Sequence, residues 1–247
     1  RRPSPAHDPV ALVADVVAVI EQCRADYDVS VVGVAVAGFI DAAGDTVLFS
    51  PNLAWRDEPL RAEVEQACGL STFVENDANA AAWGEYRYGA GAGEDVVCVT
   101  IGTGVGGGAV LDGRVLRGHF GIAAELGHIT VVHDGQLCGC GQRGCLGQYA
   151  SGSALVVEAR RRAQADPQAA ATLLTFGDGT PAGIQGVHVT SAALAGDPVA
   201  VAAFEVTGSW LGRGLASIAA VLDPAAFVVG GGVSEAGELL LAPARLA

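Results

Sequence analysis

Apolar residues in VALVADVVAVIEQCRA, residues 10–25, recur at the three- and four-residue spacing of a helix. Asp8 and Pro9 just before it offer an N-cap and a proline at the first helical position. The β-branched run VSVVGVAVAG, residues 29–38, predicts a buried strand. PLRAEVEQAC closes at Gly69 as a helix should, STFVEND predicts a strand, and ANAAAWGEYRY predicts a further helix over residues 78–88. The alternation is α/β. It restarts at Asp95 with the strand DVVCVTIG and a hairpin GAVLDGRVL turning at Asp112-Gly113. Helices are expected from Ser153 and over 197–222, then an apolar strand AFVVGGG that runs into three glycines. The glycine-rich piece GAGAG at 89–93 marks a hinge between a small lobe, 1–88, and a large lobe, 89–247.

Composition narrows the function classes. With 27 acidic against 14 basic residues the net charge is −13, which disfavours nucleic acid and anionic membrane as partners and favours a small ligand. Apolar runs end at glycine after about ten residues, too short to span a bilayer, and no signal-peptide pattern stands near residue 1. A soluble cytoplasmic protein is expected, with 51% hydrophobic residues ample for a core.

Chemistry concentrates in HITVVHDGQLCGCGQRGC, residues 128–145. Cys138, Cys140 and Cys145, with His128 ten residues before the first, make a set suited to structural zinc, and the interspersed glycines let three sulfurs converge. The spacing leaves His133 as a competing ligand. A disulfide is the rival reading, but Cys138 and Cys140 are too close for an easy bridge and a cytoplasmic setting keeps thiols reduced. Cys23, Cys68 and Cys98 lie in apolar patterns and are expected in the core.

Several motifs together resemble the ROK family of sugar kinases and sugar-responsive repressors. They are AGFID at 37–41, ENDANAAAWGE at 75–85, TIGTGVGGG at 100–108, and EL-GH at 125–128 followed by CGCGQRGCLGQYAS. SPNLAWRDEPL at 50–60 is similar to actinobacterial-type glucokinases in particular. The resemblance implies an actin-like, ribonuclease-H-like α/β fold of two lobes closing over sugar and nucleotide. It implies ATP-dependent phosphorylation of a hexose, glucose foremost, with Mg²⁺ and a structural Zn²⁺, in a homodimer or homotetramer. A sugar-sensing repressor domain is the alternative, and polyphosphate is a second possible phosphoryl donor.

Carried onto this sequence, the family pattern makes Asp77 the general base and places Gly38, Asn76, Asp77, Glu125 and His128 at the sugar. The residues themselves also allow a plainer role, in which Asn76 and Asp77 cap the helix that follows. His128 would offer one ring nitrogen to the sugar and the other to zinc, so the metal holds the loop that reads the sugar. Thr103 and Gly104 in the glycine turn, and Gly231 and Gly232 in VVGGGVS, resemble the phosphate and adenosine motifs of actin-like kinases. Taken alone, glycine turns after strands are more often simply tight turns.

Two departures stand out. The family's first phosphate motif, an Asp-x-Gly-Gly-Thr turn, has no counterpart, and the chain starts at Arg1. A truncated chain with poor kinase activity is therefore expected. Second, Gly147 stands where the family pattern has a sugar-contacting Glu, a change expected to cost about 1–3 kcal/mol of sugar affinity or to admit another hydroxyl arrangement.

Overall fold

A computed structural model describes residues 4–247. Helix α1, Pro9–Asp26, starts as its sequence dictates, with the Asp8 side chain accepting from Ala11 N at 3.0 Å. Leu12 and Ile20 face inward while Cys23 is exposed, so the core placement expected for Cys23 is corrected. It falls on the outer side of a helix whose buried stripe runs through residues eight apart. Cys68 and Cys98 are buried as expected.

Strand β1, Val31–Val36, is followed by three short strands, β2 (Phe39–Ile40), β3 (Val47–Phe49) and β4 (Arg56–Glu58), which form an antiparallel sheet in that order. None of the three is long enough to show alternation in the sequence, so they were not foreseen. Helix α2, Leu60–Cys68, ends at Gly69 in the left-handed conformation, φ 70°. Strand β5, Ser71–Asn76, then pairs in parallel with β1, from Val31 opposite Ser71 to Val36 opposite Asn76. Leu12, Val36, Val47, Trp55, Leu60, Val64 and Val74 close a first core around these elements.

Helix α3, Asp77–Tyr88, follows β5 directly but packs elsewhere. Ala82 joins Val96, Cys98 and Val110 in a small cluster against strands β6, Val96–Ile101, and β7, Val105–Leu111. The β7–β8 hairpin turns at Asp112 and Gly113, φ 50° and 71°, the two positive angles that a tight two-residue turn needs, and β8 is Arg114–Val115.

After the cysteine loop come α4 (Gly147–Ala150), α5 (Gly152–Ala165), α6 (Ala171–Phe176), α7 (Gly186–Leu194) and α8 (Pro198–Leu222). Strand β9, Ala226–Gly230, returns to pair in parallel with β6, giving the sheet order β8-β7-β6-β9, and α9, Glu238–Leu246, packs on α8. The second, larger core is built from Val97, Val99 and Ile101 of the sheet and Leu155, Leu173, Phe204 and Leu211 of the helices. Among the described residues no single helix is long and apolar enough to cross a membrane.

The long helix α8 depends on its cap. Asp197 is 2% exposed, and its carboxyl accepts from Val199 N at 3.0 Å, Ala200 N at 2.9 Å and Leu173 N at 2.8 Å. One side chain thus satisfies the start of α8 and pins α6 to it. Asp197→Ala strands those amides and is expected to lower unfolding free energy by about 2–4 kcal/mol in urea titrations, with Asp197→Asn costing less.

Candidate functional site

The end of β5 delivers the first group. Asn76 caps α3, its Oδ1 accepting from Ala78 N at 2.9 Å and Asn79 N at 3.0 Å, while its Nδ2 donates to Gly38 O at 3.0 Å. The capping role is therefore present, and it also ties Gly38 to the strand end. Gly38 has no room for a side chain, since a Cβ would stand 2.8 Å from Phe49 O. Asp77 is the first residue of α3; its Oδ1 accepts from Ala78 N at 3.0 Å.

Neighbouring Glu75 was not singled out from the sequence, yet it organises this edge. Its Oε1 accepts from Asn76 N at 3.0 Å and Asn79 Nδ2 at 3.1 Å, and its Oε2 takes Arg117 Nε at 2.8 Å. Arg117 lies just beyond β8, so the ion pair links the first sheet to the second. As an isolated basic residue in VLRGHF, Arg117 carried no pattern that reasoning from sequence would register.

Glu125 and His128 approach from the second sheet. A 3₁₀ turn, Leu126–His128, starts at Glu125. Ala124 before it holds φ 63°, a conformation that costs a non-glycine residue energy and here sets the direction of the Glu125 side chain. Gly121 in the same loop sits against the backbone of Ile40 and Asp41, where any Cβ would collide. Burial pushes the Glu125 carboxyl above its usual range, His128 opposes that shift, and the charge of Asp77 adds to it. Glu125 thus lies within electrostatic reach of both His128 and Asp77, although Asp77 follows a strand of the other sheet.

His128, Cys138, Cys140 and Cys145 converge, with all four donor atoms within 4.8 Å of one another. His128 Nδ1 lies 3.6 Å from Cys138 Sγ, and Cys140 Sγ 3.7 Å from Cys145 Sγ. A tetrahedron with metal–sulfur bonds near 2.3 Å has edges of about 3.8 Å, so the set fits a four-coordinate ion of the zinc type. His133 is excluded from it, being solvent-exposed and 3.0 Å from Asp134. The loop is shaped by backbone contacts; Gly144, φ 78°, presses on Val132 O where a Cβ has no space. Because Nδ1 faces the sulfurs, Nε2 is the ring nitrogen left for a ligand.

The glycine stretches divide by task. At Gly102 and Gly104 a Cβ would meet nothing within 4 Å, whereas at Gly106 and Gly108 it would stand 2.6 Å from Thr100 Oγ1 and from Ala78 O. The first two leave an open turn, Gly106 makes room for the Thr100 side chain, and Gly108 serves the close packing of α3. The turn is held by α5: Gly152 N donates to Gly102 O at 2.8 Å and Ser153 Oγ to Thr103 O at 2.8 Å. Likewise Gly231, φ 89°, is packed 2.5 Å (measured to its would-be Cβ) from Ile101 O, while Gly232 is open. Thr103 and Gly232 border one cleft of about 750 Å³, with Val187, Ser191 and Glu235 on its other walls. Gly104 opens instead on a neighbouring cavity that His128 also lines.

The ROK family model matches residues 1–246. The sequence is 51% identical to the glucokinase of Streptomyces coelicolor over 238 residues, covering 96% of this chain and 75% of that protein. Among solved structures, a ROK family glucokinase from Streptomyces griseus in complex with glucose and AMPPNP superposes with a TM-score of 0.87 at 54% identity, over 97% of this chain and 77% of that one. A ROK family transcriptional regulator, homologous to the Escherichia coli MLC protein, gives 0.86 at 30% identity, over 98% of this chain and 61% of the regulator. The architecture is the mixed α/β arrangement of actin-like ATPases. Within that class, the chain belongs to the ROK family.

The convergence of three thiols and an imidazole predicts about one bound zinc ion per chain by elemental analysis. Stripping it with a chelator, or Cys140→Ser, is expected to lower the melting midpoint, whereas His133→Ala leaves both metal content and midpoint unchanged.

Proposed function

We propose that the chain is an ATP-dependent hexose kinase acting on glucose, with Asp77 as the general base. The observation that carries this reading is the position of Asp77, at the first turn of α3 and within electrostatic reach of Glu125. The likeness to a glucokinase solved with glucose and AMPPNP supports the same substrate pair.

A sugar hydroxyl is a weak nucleophile. Asp77 Oδ2, with no hydrogen-bond partner among the described residues, takes the hydroxyl proton as the oxygen bonds to the γ-phosphorus and the bond to the β,γ-bridging oxygen breaks. Asn76 is committed on Oδ1 and on one Nδ2 hydrogen, so a single amide hydrogen remains for the sugar. Glu125, its carboxyl shifted toward the protonated form by burial, and His128 Nε2 would orient further hydroxyls. Gly38 contributes backbone, positioned through its bond to Asn76.

The triphosphate would lie in the 750 Å³ cleft, with the Thr103 turn and Gly232 giving backbone approach to phosphate and nucleoside. Mg²⁺ would draw most of its ligands from the phosphate oxygens and water and supply charge neutralisation when bound. Zn²⁺ in the Cys138, Cys140, Cys145 and His128 set would fix the loop that carries His128, a positioning role. The two cores, one ending at Val74 and the other beginning at Val97, would be the lobes that close over both substrates and exclude water.

A coupled assay for glucose 6-phosphate with MgATP tests the reading. Asp77→Asn is expected to lower kcat at least about 100-fold with glucose binding retained by calorimetry. A protein that binds glucose but shows no turnover would instead be a sugar sensor of the regulator type.

A further inference from the structure

Glu75 and Arg117 stand outside the groups that meet sugar or nucleotide in the proposed mechanism, yet they tie together the segments that carry those groups. We propose that they form a positioning pair, which fixes the spacing between the base Asp77 and the sugar-facing Glu125. The proposal rests on the hexose-kinase reading, because it concerns where the base stands relative to the sugar.

Each partner is anchored beside one of the two groups. Glu75 lies near the end of β5, just ahead of Asp77, and its Oε1 accepts from Asn76 N at 3.0 Å and from Asn79 Nδ2 at 3.1 Å. Asn79, in the first turn of α3, is 2% exposed, and its Oδ1 has no partner among the described residues, so the amide is oriented through its bond to Glu75. Arg117 opens the loop that leads to Glu125. Its carbonyl accepts from Ala123 N at 3.0 Å, and Gly121 inside that loop presses on Ile40 O of β2. Just before it, Leu116 N donates to Ala109 O at 2.8 Å and holds the start of the loop on β7. Glu75 Oε2 receives both Arg117 Nε, at 2.8 Å, and Nη2, so one carboxylate bridges the strand end, α3 and the Glu125 loop.

The pair is suited to placement more than to stability. The Arg117 side chain is 42% exposed, and an ion pair this open to water contributes little to the unfolding free energy. What it fixes is direction, since the guanidinium is a rigid planar fork and its acceptor is already held by α3 through the other oxygen. Proton transfer to Asp77 requires the sugar hydroxyl, oriented by Glu125 from the other side, at hydrogen-bond distance, and a small misplacement of either end is costly.

The test cuts the same link from its two ends. Glu75→Gln keeps a carbonyl oxygen for Asn76 N and Asn79 Nδ2 but sets an amide donor against Arg117, whereas Arg117→Gln removes the guanidinium. Either is expected to lower kcat for glucose with MgATP about 10-fold or more, to keep KM for ATP within about 3-fold, and to leave the melting midpoint in place. Arg117→Lys, which restores the charge without the fork, is expected to recover part of kcat. Because the pair acts through Asp77, Glu75→Gln is expected to change the residual rate of the Asp77→Asn protein by less than about 3-fold. Unchanged kcat in Glu75→Gln and Arg117→Gln overturns the proposal. A fully additive loss in the Asp77→Asn background overturns it too, being the mark of a role that does not pass through the base, and so does a fall in melting midpoint that parallels the fall in rate. Each of these leaves the kinase reading standing. An unaltered protein that binds glucose without turning it over overturns that reading and this proposal together.

Discussion

Helix α3 can rest on β7 only because Gly108 has no side chain. A Cβ at Gly108 would stand 2.6 Å from Ala78 O and 2.9 Å from the Ala82 methyl, a distance that real packing does not allow. That close approach has a consequence for every other group in the site. It brings the first turn of a helix grown from the first sheet against the second sheet, and so places Asp77 within electrostatic reach of Glu125. Glu75 completes the join from the other side, since one carboxylate ties the Asn76 backbone, the Asn79 amide and Arg117 beyond β8. Breaking either contact would move Asp77 relative to Glu125; in the proposed kinase mechanism a displacement of about 1 Å is enough to cost roughly two orders of magnitude in rate.

The site is therefore assembled mostly by backbone. Asn76 spends its amide on capping and on Gly38, the Thr103 turn is fixed by bonds from α5, and the cysteine loop is folded by glycines pressed on carbonyl groups. Side chains then have few degrees of freedom left when the substrate arrives, which lowers the entropy lost on binding. A thiolate-bound ion would tighten the same loop further; without one, burial and the neighbouring sulfurs push the Cys145 thiol up to about 12.

Much of this was legible in the sequence where a signal is local. The N-cap Asp8-Pro9, the glycine stop at Gly69 and the Asp112-Gly113 hairpin each report a backbone demand that few residues can meet, and each element stands where the pattern put it. The Cys3His set was legible because thiols are scarce and closely spaced. What stayed hidden depends on contacts distant in sequence. β2, β3 and β4 are two or three residues long and exist by pairing, not propensity. Arg117 and Glu75 are 42 residues apart, and neither carries a mark of the other. The run GTGVGGG reads as one motif, but only the packing shows that Gly102 and Gly104 are open while Gly108 lies against helix α3.

The same distinction separates Gly147 from the other glycines of its loop. Gly127 and Gly144 lie where a carbonyl blocks any Cβ, so changing them would distort the loop that carries His128 and the metal donors. At Gly147 a Cβ would meet Gly127 O at 3.3 Å and Val105 N at 3.9 Å, a tight fit but no collision, and the residue borders a cavity lined also by Tyr149 and Trp210. Residues that shape the catalytic frame are constrained by contacts a few tenths of an ångström from collision. A residue that only bounds a cavity can change size without disturbing that frame, altering which sugar fits while leaving Asp77 where the helix start puts it.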